Sequence, residues 1–153
     1  MGRKNDDAPW HAAVRWADGL RPTCSEGSPV SQAEVDINAR IDRFVTLLRN
    51  RDAALLDELW TERGFHLVGS ERGEVFRTRD ELSRKFANPR QLVFEWPSRE
   101  ITVEGQVAWV FVEGDLVMRG GDSDERRPYN ALLIFQRLNG SWRWRQFFGS
   151  EPD

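Results

Sequence analysis

The segment 106–118 is apolar on both of its faces, with Val107, Trp109 and Phe111 on one side and Ala108, Val110 and Val112 on the other. Segment 128–138 repeats the pattern, and Asn139-Gly140 joins it by a tight hairpin to 141–149. Strands joined this way are antiparallel, and an antiparallel strand normally keeps one face wet. Central strands that are apolar on both faces therefore need cover on both. Only three helical segments precede them, enough for one face. The pattern predicts a sheet curled around its own helices, with a convex side that meets a second copy of the chain.

The helices are legible from their ends. Ser31-Gln32-Ala33-Glu34 is a capping box, and Ile37, Ile41, Phe44, Val45 and Leu48 then recur on one face, predicting a helix over 31–50. Asp52 caps a shorter second helix carrying Leu55, Leu56, Leu59 and Trp60, which ends before Gly64. Phe65 to Ser70 and Glu74 to Arg77 read as a strand and a brief return strand around the turn Glu71-Arg72-Gly73. Thr78-Arg79-Asp80-Glu81 is a second box, starting a helix with Leu82 and Phe86 inward that stops at Asn88-Pro89. Residues 91–103 alternate as a strand interrupted at Pro97 and Ser98.

With 153 residues, the chain has room for one domain, expected over 31–153. Residues 1–30 read as an extension. In it Trp10, Ala13, Val14 and Ala17, with Asp7 as cap, Pro9 in the first turn and Gly19 at the stop, suit a short amphipathic helix, and a loosely attached tail suits the texture equally. A net charge of −3 argues against a nucleic-acid partner. No run approaches the ~20 apolar residues of a membrane span. One cysteine, Cys24, leaves no internal disulfide, and neither it nor His11 and His66 has metal-ligand spacing. There is no Gly-rich phosphate loop or nucleophile elbow, so no metal or cofactor is expected. The N-terminal segment carries Asp6 and Asp7 and lacks an apolar secretory core, giving a cytoplasmic expectation.

Seven Trp and nine Phe are many rings for a domain this small, and they suit an aromatic-lined cavity as well as a plain core. Phe44, Trp60, Phe76, Phe86 and Phe94 are candidate lining residues, as are Trp96, Trp109, Phe111 and Trp144. Gln146 and Phe148 join them, because Phe148 continues the Trp142, Trp144, Gln146 face of the last strand. Glu113 and Asp115 share a strand face with Trp109 and Phe111. Among rings a carboxylate's pKa rises and it can move protons near neutrality; at a strand end it simply meets water. Tyr129, the only tyrosine, either donates a hydrogen bond to a developing oxyanion or packs. His66 is either a structural strand residue or a general base. Arg143, Arg145, Arg119, Arg126 and Arg127 read as a solvated strand face and a self-neutralised loop.

The order of elements, with GSERGEVF at 69–76, AWVFVEGDL at 108–116, and PYNALLIF followed by WRWRQFFGSEP at 128–152, resembles the SnoaL-like branch of the nuclear transport factor 2-like superfamily. The resemblance covers about residues 31–152. It implies a cone-shaped α+β fold, three N-terminal helices packed in a strongly curved, mostly antiparallel mixed sheet, usually homodimeric. That superfamily includes ketosteroid isomerase, polyketide cyclases and domains that only bind or scaffold. In similar chains the position of Phe148 is commonly His and that of Asn130 commonly Arg, so two polar groups are absent here. The expected function is binding of a small, mostly apolar molecule in an aromatic cavity. An isomerase- or cyclase-like version adds proton transfer by Asp115 or Glu113, with Tyr129 or His66 polarising a carbonyl. The alternative is a non-catalytic dimeric interaction module with a filled pocket.

Overall fold

The computed structural model describes residues 30–152. The expectations for the tail helix and for Cys24 lie outside them. Helix α1 spans Gln32–Arg49, with the Ser31 hydroxyl accepting from the Glu34 N–H. Ile37, Ile41, Phe44, Leu47 and Leu48 form its buried stripe. Helix α2 is Ala54–Leu59; the Asp52 carboxylate accepts from the Ala54 N–H just ahead of it, so the capping residue stands one place outside the helix cap. Helix α3, Arg79–Phe86, has a complete capping box between Thr78 and Glu81. Hydrogen bonds from the Arg77 and Thr78 N–H groups hold the Glu81 carboxyl below its ordinary range.

The strands are β1 His66–Val68, β2 Val75–Phe76, β3 Gln91–Glu104, β4 Val107–Arg119, β5 Glu125–Pro128, β6 Asn130–Leu138 and β7 Ser141–Ser150. They form one sheet in the order β2-β1-β7-β6-β4-β3, with β5 beside β4. All pairings are antiparallel except β1 with β7. The chain thus has the cone-shaped α+β fold, its helices inside an unclosed, curled sheet. On the concave face Ala108, Val110, Val112, Leu133, Phe135 and Trp144 are completely inaccessible to solvent.

Two irregularities bend the sheet and decide which side chains face inward. In β3 the register with β4 slips between Glu95 and Ser98, at the proline where an interruption is expected. In β7 it slips between the pairs Ile134–Gln146 and Phe135–Trp144, which makes Arg145 the extra residue of a bulge. The Arg145 guanidinium ties this bulge to the α2–β1 connection by donating to the carbonyls of Arg63 (2.8 Å) and Gly64 (3.0 Å). Past the bulge the alternation inverts. Phe147 turns inward and is buried, while Gln146 and Phe148 turn to the convex face, with Phe148 43% exposed. The strict alternation expected from Trp142 is therefore corrected, and Gln146 and Phe148 do not line the interior.

One buried charge went unnoticed in the sequence. Glu58 on α2 is 5% exposed and accepts from Arg40 and Arg43 of α1, at 3.1 and 2.9 Å, clamping the helical hairpin. Removing one partner of a fully buried pair costs about 3–5 kcal/mol; both arginines keep solvent contact here, so Glu58→Ala should destabilise by only about 2 kcal/mol. Urea denaturation measures it, with Arg43→Ala, the more exposed partner, expected to lose less.

Candidate functional site

Between α1, α3 and the concave sheet lies a cavity of about 210 Å³. Its inner wall comes from three elements that each contribute a ring: Phe44 of α1, Phe94 of β3 and Phe147 of β7, with Leu67, Leu92 and Leu116 between them. The rings support one another. Phe44 packs at 6.0 Å from Phe94 and 6.1 Å from Phe147, and Phe94 stacks on Trp96 at 4.4 Å. Trp96 is itself buried behind this wall, its indole N–H donating to the Tyr129 carbonyl at 3.3 Å.

The mouth is polar, and its groups come together because β1 runs parallel to β7. That pairing sets Val68 beside Phe148, so Ser70 and Glu151, just beyond the strand ends, meet. The Ser70 hydroxyl donates to the Glu151 carboxylate at 3.0 Å. Arg127 of β5 lies 3.6 Å from Glu151 on one side and donates to Glu125 at 2.7 Å on the other. Across the opening, the Glu74 carboxylate pairs with Lys85 of α3 and accepts from the Glu71 N–H. It rests over Gly69, where a Cβ would come within 2.0 Å of it. Both mouth cations thus have carboxylate partners.

Tyr129 stands among these groups at the junction of β5 and β6, its N–H donating to the Gly114 carbonyl at 2.7 Å. Its hydroxyl lies so close over Gly149 that a Cβ there would approach it to 1.8 Å, so glycine is required at that position. Burial pushes the phenol up to about 12; hydrogen bonding from Ser70 opposes the rise, and the Glu74 and Glu151 charges add to it. The group therefore keeps its proton at neutral pH and is a hydrogen-bond donor there, not a base.

Of the residues singled out in the sequence, Phe44, Phe86, Phe94 and Tyr129 line this cavity. The others lie elsewhere. Trp144 is wholly buried deeper in the cone against Phe44, Phe65 and Phe135. Trp60 ends α2 beside a surface groove with Asp57 and Arg143. Phe76 lies under Lys85, the ammonium 5.7 Å from the ring centre. Glu113, Asp115, Trp109 and Phe111 share one strand face, as expected, and it is the convex face. Glu113 is exposed there, and Asp115 accepts from Arg126 at 2.5 Å beside Glu95. His66 is also exposed and convex, paired in register with Gln146. The proposed acids and the imidazole are thus separated from the cavity by the sheet itself. Conversely, Lys85 and Glu151 are not read as site residues from the sequence, and Arg127 reads there as part of a self-neutralised loop, because the contacts that bring them to the mouth join elements far apart in the chain. Among the described residues, no group of three or more His, Cys, Asp or Glu is placed to hold a metal ion.

The model of the SnoaL-like domain family matches residues 37–153. No curated protein matches the chain in sequence. Solved structures share the fold at low identity. A dehydratase candidate of the NTF2-like family from Streptomyces avermitilis superposes with a TM-score of 0.69 at 16% identity, covering 78% of this chain and 96% of that one. An NTF2-like protein of unknown function from Pseudomonas putida gives 0.65 at 17% identity, covering 78% and 87%. An NTF2-like protein with a cystatin-like fold from Novosphingobium aromaticivorans gives 0.65 at 16%, covering 82% and 93%. With more than half its length matched by the family model, this chain belongs to the SnoaL-like domain family.

Proposed function

We propose that this protein binds a small, largely apolar molecule that carries one hydrogen-bond acceptor. The observation behind this reading is the 210 Å³ cavity walled by Phe44, Phe94 and Phe147 with the Tyr129 hydroxyl at its mouth. Ligand sites commonly run to about 300–1,000 Å³, so the space suits a one- or two-ring compound. The paired state of Lys85 and Arg127 favours a neutral carbonyl or hydroxyl over a carboxylate. In the proton-transfer version Tyr129 donates to a carbonyl oxygen as negative charge develops on it, and Glu74 or Glu151 receives the proton. Those two are carboxylates of the cavity lining, whereas Glu113, Asp115 and His66 lie outside it.

The reading also includes a homodimer through the convex sheet face. Phe111, Leu132 and Phe148 stand in one row across β4, β6 and β7, each 38–43% exposed. Glu100 and Glu104 flank the row on the β3 side, and Arg143 and Arg145 flank it on the β7 side. A two-fold axis along the strands would set each acidic edge against the other copy's basic edge, a self-complementary arrangement. The single cysteine supports a cytoplasmic address. Among the described residues no helix is long and apolar enough to cross a membrane.

Binding is tested by thermal shift with acetophenone, tetralone and naphthol. At least one should raise the melting temperature, and Tyr129→Phe should weaken its binding about 2–10-fold, the worth of one hydrogen bond. No shift with any of them would favour the interaction-module reading. The phenol itself is readable, because the chain has one tyrosine. Its tyrosinate absorbance should rise around pH 12 instead of 10. Because the folded-state value is the higher one, its contribution to stability is intact below pH 10 and lost between 10 and about 12. Tyr129→Phe should flatten that part of the stability profile. For the dimer, light scattering should give twice 17.8 kDa, falling to the single mass in Leu132→Glu or Phe148→Glu.

A further inference from the structure

A second cavity of about 250 Å³ opens between the end of α1, α2 and the end of α3. It and the Tyr129 cavity have four lining residues in common: Leu48, Phe86, Asn88 and Leu92. Phe86 is the bulkiest of the four and the last residue of α3. The helix is held at its start by the capping box and fully buries only Leu82. Past Phe86 the chain leaves the helix at Ala87 and reaches Pro89, so the ring sits where the backbone holds it least. It is half-buried, with room on both sides.

The two chambers differ in chemistry. Tyr129, Ser70 and the mouth ion pairs lie on the first side. The second is walled by Leu48, Leu55 and Leu56; of its charged neighbours, Arg51 and Asp52 are exposed, and half-buried Arg90 is paired with Glu125 at 3.1 Å. Each chamber alone falls below the ~300 Å³ lower bound of common ligand sites, and joined they pass it. We infer that Phe86 is a movable partition and that the ligand class is an elongated amphiphile, its hydroxyl or carbonyl head at Tyr129 and its narrow apolar tail running past Phe86 into the leucine-walled cleft. This rests on the reading of the Tyr129 cavity as a binding site and adds the shape of its ligand. The ring need only change rotamer, a motion of the picosecond-to-nanosecond class where packing is open on both sides.

A series of para-alkylphenols tests the inference, titrated by tryptophan fluorescence into the full chain. Ethylphenol fits the first chamber alone. From butyl to octyl, each methylene that enters the second chamber should tighten binding, by up to about fourfold. Ser83 lines only the second chamber, so Ser83→Trp should leave ethylphenol binding unchanged and abolish the octyl gain. Phe86→Ala, which also removes a ring from the first chamber, should weaken ethylphenol and raise the ratio of octylphenol to ethylphenol affinity. The inference is overturned if ethylphenol binds while octylphenol binds no tighter than butylphenol in both the natural chain and Phe86→Ala, or if Ser83→Trp leaves the octyl gain intact. If ethylphenol and its longer homologues all fail to bind, the cavity reading falls and the tail path with it. The natural chain's own length series decides the matter even if a variant does not fold.

Discussion

Phe44 is where this molecule is held together. Its ring contacts Phe94 and Trp96 from one arm of the sheet and Trp144 and Phe147 from the other, so a single helical side chain spans the interior of the cone. Aromatic pairs add about 0.5–1.5 kcal/mol each beyond the area they bury, and this cluster joins elements far apart in the chain. Its geometry also sets where packing stops. Deeper in the cone, Trp144 is fully buried against Phe65 and Phe135. Toward the mouth the rings spread and no side chain fills the gap, which leaves the cavity that Tyr129 overlooks.

The polar groups at that mouth are organised to be satisfied without a ligand. Glu74 has Lys85, Glu151 has Ser70 and Arg127, and Arg127 has Glu125 as well. Arg127 and Arg90 in turn hold the Glu125 carboxyl below its ordinary range. A site built this way has no uncompensated charge to offer an ionic ligand. What remains is a phenol that keeps its proton, standing where the polar mouth meets the apolar wall. On the proposed reading, such a site would select by shape and by one hydrogen bond.

Seen from the other side, the sheet separates two chemistries. Side chains of β4 and β6 alternate between a sealed interior and an outer face where Phe111 and Leu132 lie open to solvent. The acids that look catalytic in the sequence belong to this outer face. Asp115 and Glu95 there share Arg126, a surface cluster rather than a reaction centre.

Much was legible in the residues themselves. The Ser31 cap, the Thr78–Glu81 box, the interruption at Pro97, the doubly apolar β4 and β6 and the family resemblance were readable, because capping, turn chemistry and alternation are local properties of the chain. The face on which Glu113 and Asp115 stand was legible only as a shared face, since periodicity says which residues point the same way and not which way is inward. One extra residue at Arg145 was enough to send Phe148 out and Phe147 in, and a bulge leaves no mark in a run as uniformly aromatic as this one. The sequence by itself determined the elements, their order and the apolar character of both faces of β4 and β6. Tertiary structure alone decided which acids meet the cavity, because the parallel pairing of β1 with β7 brings Ser70 to Glu151 across 81 positions of chain, and no local pattern encodes a contact at that separation.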